Sequence, residues 1–238
     1  MPATFVMMGA QFETCDGQDV CLDDIQFGEG FTGPEYDSAG NFVATAPQIQ
    51  VANADTEGTK QLFFLSDGNY KTTPATPAWC DMNGEPVLDQ KIAPGIGFWF
   101  CDTFNKNRGY TFAGAVLADE VWEKTYNNTF RMLVNPFPMA TKLSDIQFDK
   151  LDETAPIYDG GGDFCNTATQ IQIPNATSEG FKQLFYLADG NYKTSPATPA
   201  WCDMNGEPVD AESVVIPVGR GCWFKTNAPS GMKVTFTK

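Results

Sequence analysis

Asp67–Val87 reads DGNYKTTPATPAWCDMNGEPV, and Asp189–Val209 repeats it with one change, Thr73 to Ser195. The residues in this block with chemical potential are aromatic and oxygen-bearing. Tyr70 and Trp79, with their copies Tyr192 and Trp201, carry large amphipathic rings that suit buried patches at interfaces. The same rings can stack on sugars. Asp81, Asn83 and Glu85, copied as Asp203, Asn205 and Glu207, could then hydrogen-bond sugar hydroxyls. Two kinds of partner follow: further copies of the chain, or glycans. Against both stands the plainer expectation that Trp79 and Trp201 are core residues. Asp81–Glu85 and Asp203–Glu207 also carry a faint calcium-loop signal, because D-x-N-G gathers hard oxygens around a tight turn. The full twelve-residue pattern is absent, and a turn rich in Asp, Asn and Gly explains the segment more simply. No cofactor is expected beyond that faint signal.

Other chemistry is missing. The chain has no histidine. That removes the commonest general base, the Ser-His and Cys-His pairs, and the usual catalytic zinc ligands. No carboxylate pair stands out among the 30 acidic residues as a glycosidase motif. The expectation is therefore a protein without enzyme activity. A formal net charge of -15 argues against nucleic acid and against anionic membrane surfaces. No apolar run reaches membrane-spanning length, so no membrane insertion is expected.

The seven cysteines contain no CxxC or Cys/His zinc pattern. Cys15 and Cys21 bracket a short polar loop and can close a local disulfide in an oxidising compartment. Cys80 and Cys202 are repeat equivalents that read as small buried apolar residues, and with an odd count at least one thiol stays free or pairs between molecules. Two sequons begin at Asn127 and Asn175, a short motif that also arises by chance.

The elements that must position the repeated block are themselves repeated. Gln48–Val87 aligns with Gln170–Val209 at an offset of about 122 residues, with about four-fifths of positions identical. Weaker matches flank it: DIQF at Asp24 and Asp145, TFVMMGAQF at Thr4 against TFRMLVNPF at Thr129, and GIGFWF at Gly95 against GRGCWF at Gly219. The pattern predicts an all-β chain of two tandem β-sandwich-like domains, residues 1–114 and 115–238. Strands are expected at Thr4–Met8, Gln48–Val51, Lys60–Ser66, Ile96–Cys101 and Gly109–Phe112. A tight turn at Asp67-Gly68-Asn69, with the positive φ that Gly supplies, predicts a hairpin returning through Tyr70–Thr73. The Pro-rich stretch beyond it reads as a loop. Thr141–Gln147 is at most a helical turn.

The second module is preceded by EVWEKTY, Glu120–Tyr126, which alternates as a strand does. The first module has only three residues ahead of its matching Thr4. A sheet lacking one strand exposes an edge. The strand came from a preceding segment, or a loop covers the edge, or a neighbouring subunit donates a strand.

MLVNPFPMATKLSDI (Met132–Ile146), the YLADGNY hairpin with Trp201–Asp203, the VGRGCWF run (Val218–Phe224) and the closing VTF together are similar to a module of large secreted and surface proteins. These occur in Bacteroidetes and in bacteria of the Verrucomicrobia and Planctomycetes type. The first copy departs from the pattern at Gly9–Phe12, GAQF, a start that the family also uses after a leader and a first strand. The resemblance implies a secreted or cell-surface β-module, often in tandem, with a leader removed ahead of Met1. It transfers no catalytic residue. The functional expectation is a structural, self-associating subunit of an extracellular filament or surface layer, with a carbohydrate-binding surface adhesin as the alternative.

Overall fold

The computed structural model describes residues 6–8, 20–22, 25, 27, 30–52, 58–92, 97–105, 120–137, 139–175, 180–218 and 220–237. Strands dominate, all paired antiparallel, and the helices are single turns. The chain is all-β and divides into two compact units, Met1–Val116 and Leu117–Lys238.

Unit 1 holds β1 (Val6–Met8), β2 (Val20–Cys21), a one-turn helix α1 (Phe42–Thr45), β3 (Gln48–Ala52), β4 (Thr59–Asn69), β5 (Thr76–Cys80), β6 (Lys91–Ile92) and β7 (Phe98–Cys101). Its main sheet has the order β1-β7-β3-β4-β5, and β2 pairs β6. The run LFFL in β4 is buried on both sides because successive side chains point to opposite faces. Leu62 and Phe64 pack with Ile49, Val51, Trp79, Phe98 and Phe100 on one face. Phe63 and Leu65 pack with Phe42, Ala46 and Cys80 on the other. A continuous apolar strand of this kind therefore needs cover on both faces, and α1 supplies Phe42 to the second.

Unit 2 holds β8 (Val121–Tyr126), β9 (Arg131–Val134), β10 (Thr141–Lys142), β11 (Gln147–Phe148), α2 (Leu151–Thr154), α3 (Phe164–Thr167), β12 (Gln170–Pro174), β13 (Phe181–Asn191), β14 (Thr198–Cys202), β15 (Val215–Ile216), β16 (Gly221–Lys225) and β17 (Met232–Thr237). The sheet β14-β13-β12-β16-β9 repeats the order of unit 1, and β10 pairs β15 as β2 pairs β6. A three-stranded sheet, β11-β17-β8, is also present. The main core of unit 2 takes Ile171, Leu184, Trp201 and Phe224 from the larger sheet and Tyr126, Val234 and Phe236 from the smaller. The far face of the larger sheet packs Phe185, Leu187 and Cys202 against Phe164 of α3. Glu120–Tyr126 does provide a strand: Trp122 and Tyr126 face Phe236 and Met232 across β8 and β17.

Two local expectations need correction. The hairpin does not turn at Asp67-Gly68-Asn69. β4 runs through Asn69, the chain turns over Tyr70–Ala75, and β5 returns at Thr76–Cys80 with a register irregularity between Leu65 and Asn69. Gly68 lacks a positive φ. It is needed for close approach, since a Cβ there would lie 2.6 Å from Cys80 Sγ and 2.7 Å from the Ala78 carbonyl oxygen. The same holds at Gly190, against Cys202 Sγ and Ala200. The second correction concerns TPAWC, which is a strand rather than a loop. Pro77 and Pro199 are tolerated because β5 and β14 lie at sheet edges. The helical turn expected near Thr141–Gln147 is a short 3-10 turn at Leu143–Asp145. The strand expected at Gly109–Phe112 lies outside the described residues, as do Thr4, Phe5 and Ile96.

Candidate functional site

The repeated block divides into a buried half and an exposed half. Trp79 and Trp201 are 1% and 5% exposed. Trp79 meets Phe64 at 5.3 Å and Phe27 at 5.6 Å between ring centroids. Trp201 meets Tyr186 at 5.3 Å and Phe148 at 5.8 Å. Phe27 and Phe148 close the two DIQF motifs, so those motifs are aligned because each packs the indole of its own unit. The expectation that these tryptophans act as surface anchors is corrected: a side chain on a strand facing the core has no surface to offer. Asn135 of the NPFP motif is likewise structural. It is buried, donates through Nδ2 to the Met139 carbonyl at 2.6 Å and accepts from the Phe137 amide at 3.1 Å.

Tyr70 and Tyr192 stay outside, each 52% exposed. The Tyr70 hydroxyl donates to Glu85 Oε2 at 2.5 Å, and Tyr192 to Glu207 Oε2 at 2.5 Å. The hydrogen bond to the neighbouring carboxylate raises both phenol pKa values above the ordinary one, with weaker help from burial and the carboxylate charge. Each hydroxyl is therefore a committed donor at neutral pH.

Asp81 builds the turn that carries Glu85. Its Oδ1 accepts the Asn83 amide at 2.8 Å and the Glu85 amide at 3.0 Å, and the Asp81 carbonyl accepts the Gly84 amide at 3.1 Å. Asp203 does the same for Asn205 and Glu207 at 2.8 and 3.0 Å. This is the turn chemistry of Asp. Gly84 and Gly206 take the left-handed conformation, φ 79° and 76°.

Tyr36 and Tyr158 complete the two surfaces, and sequence reasoning missed both. The Tyr36 ring lies on Gly84: a Cβ there would be 2.3 Å from its Cε2 atom. Tyr158 lies on Gly206 in the same way, at 2.4 Å. Asp67 and Asp189 hold these tyrosines, each accepting the tyrosine amide through Oδ1 at 2.8 Å. The missed signal is Pro34-x-Tyr36-Asp37 against Pro156-x-Tyr158-Asp159, at the same 122-residue offset. It amounts to three identities in four positions, Pro, Tyr and Asp, too short a match to stand out by itself. Around each turn, Tyr36, Tyr70 and Met82, or Tyr158, Tyr192 and Met204, leave apolar surface in solvent beside Asn83 and Glu85 or Asn205 and Glu207.

Cys80, Cys101, Cys165, Cys202 and Cys222 form no disulfide. Cys80 and Cys202 pack behind the turns, with Sγ 3.7 and 3.6 Å from the carbonyl oxygens of Ala78 and Ala200. Burial pushes the Cys202 thiol up to about 11, helped by the charges of Asp189, Asp203 and Glu207. Cys15, one half of the expected Cys15–Cys21 disulfide, lies outside the described residues. Compared with family models, with curated proteins and with solved structures, the chain matches none.

Proposed function

We propose that the chain is a non-catalytic binding protein, secreted or displayed at a cell surface, in which two β-sandwich-like units each present the same tyrosine turn to carbohydrate. The sandwich description is supported in unit 2 by a core that draws side chains from a five-stranded and a three-stranded sheet. The extracellular assignment rests on the resemblance of the chain to secreted modules. Buried thiols such as Cys202 and Cys222 are compatible with it, because oxidants reach them poorly.

One observation carries the carbohydrate reading. Burial removes Trp79 and Trp201 from the surface, and what remains in common between the units is a small exposed group of tyrosine rings and hydrogen-bonding oxygens. Sugars need that combination: an aromatic face for their C–H groups and oxygen acceptors for their hydroxyls.

Self-association into a filament or layer has weaker support. Strand donation needs an open edge. β14 and β5 carry Pro199 and Pro77, and their own following segments fold back on them, with the Val209 amide donating to Trp201 and the Val87 amide to Trp79, both at 2.8 Å. β8 carries Lys124 inward, and inward charges blunt edge strands. A glycan array with the parent protein and its Tyr70→Ala/Tyr192→Ala variant tests the proposal. The parent should bind a defined glycan class and the variant should lose it. A parent that binds no glycan, yet sediments as a large assembly, would favour the self-associating subunit instead.

A further inference from the structure

The two turns carry enough chemistry to narrow the ligand, an inference that rests on the carbohydrate reading above. Many identities in the repeated block have structural causes. Gly68 permits close approach to Cys80, Trp79 fills the core, Asp81 builds the turn, and Gly84 seats Tyr36. The copies at Gly190, Trp201, Asp203 and Gly206 do the same. Tyr70, Met82, Asn83 and Glu85 fill no core site, although Tyr70 and Glu85 hydrogen-bond each other. They are exposed, as are Tyr192, Met204, Asn205 and Glu207, and they are nevertheless the same in both units.

We propose that each turn binds an amino sugar of a glucosamine-type polysaccharide, its ring on the exposed tyrosine faces and its ammonium against Glu85 or Glu207. Three observations support this class. First, each exposed carboxylate sits beside a tyrosine ring, at hydrogen-bond distance from the hydroxyl. A carboxylate at the hydroxyl end of the ring attracts a cation by charge, and the open ring face adds its quadrupole. Second, the chain's own Lys193 ammonium already lies 5.9 Å from the Tyr192 ring centroid, so that face is within reach of a positive group. Third, a net charge of -15 draws in a polycation and repels uronic acids. Two turns on one chain suit a polymer that repeats its ligand, because the second contact is then intramolecular.

The test uses the full chain and titration calorimetry. Probes are an oligomer of glucosamine, its fully N-acetylated counterpart, an oligomer of a uronic acid, and oligolysine of the same charge as the first. The free-amine oligomer should bind at least about tenfold more tightly than the acetylated one at low salt, and most of that gap should close in about 0.5 M salt, where charges are screened. Uronic acid should not bind. Glu85→Gln/Glu207→Gln should erase the preference while circular dichroism shows the fold intact. Asp145→Asn/Glu153→Gln removes the same charge elsewhere in exposed positions and should keep it. Equal binding of free and acetylated oligomers overturns the ammonium assignment and leaves the carbohydrate reading standing. Loss of the preference in the Asp145/Glu153 control, or tighter binding of oligolysine, also overturns it in favour of unselective attraction or a cationic peptide. Failure of every glycan to bind removes the carbohydrate reading as well.

Discussion

At the scale of single residues, the environment of each side chain decides which groups are available to react or bind. Cys222 and Cys202 are buried, and burial raises both thiol pKa values, the latter to about 11. Cys165 is only partly buried, so its thiol, itself raised by burial and the Asp159 charge, is more accessible. Because the thiolate is the nucleophile, brief alkylation of the native protein at mildly alkaline pH should label Cys165 ahead of Cys202 and Cys222, as read by peptide mass spectrometry. Labelling of Cys222 first would contradict its packing. Tyr70 offers a pH-dependent counterpart. Its phenol pKa is raised chiefly by the bond to Glu85. The stabilisation from that bond is therefore present below the ordinary phenol pKa and is lost as pH climbs through the raised value. In an ultraviolet absorbance titration, Glu85→Gln should move one tyrosine to lower pH, and Glu85→Gln/Glu207→Gln two.

At the scale of elements, the edge strands β5 and β14 behave differently from the edge strand β8. β5 and β14 use each Trp as a core plug. Trp79→Ala and Trp201→Ala should each cost about 3–5 kcal/mol of stability, the usual penalty for emptying an aromatic core site. Denaturant unfolding measures it, and a loss of well under 1 kcal/mol would show that the indoles are not sealed as described. β8 instead buries part of Lys124. Desolvation, with a smaller contribution from Arg131, lowers its pKa to about 8. A lysine whose folded pKa is depressed opposes folding while it is charged. The penalty is fully present below about pH 8 and fades as pH rises toward the ordinary lysine value. Lys124→Met should therefore be more stable than the parent at pH 7, with the difference shrinking by pH 10. A constant difference across that range would mean that the lysine stays solvated. Removing the inward charge should also make β8 a stickier edge, visible as concentration-dependent association.

At the scale of the whole molecule, the proposed carbohydrate binding makes the doubled turn matter more than either copy. For a short oligosaccharide, Tyr70→Ala should halve the number of sites without much change in affinity at the other. For an immobilised polymer the same single change should cost far more, on the order of a hundredfold, because avidity needs both contacts. Equal losses on oligomer and polymer would mean that the two turns do not act together.

Much of this architecture was readable before any coordinates. Alternation marked β3 and β8, and bounding turn residues marked the apolar runs of β7 and β13, because both signals are local properties of the chain. The duplication, the all-β class and the absence of histidine chemistry came from the letters alone. The direction of the repeated block did not. Whether Gly68 supplies a positive φ or a close approach depends on what lies across the hairpin, and only the pairing with Ala78 and Cys80 answers that. Whether Trp79 is an anchor or a plug depends on which face β5 turns to the core. Tyr36 reaches the site through Asp67 and Gly84, residues 31 and 48 positions away along the chain. Such a meeting is decided by tertiary packing, since contacts across sheets are set by topology and not by neighbouring sequence.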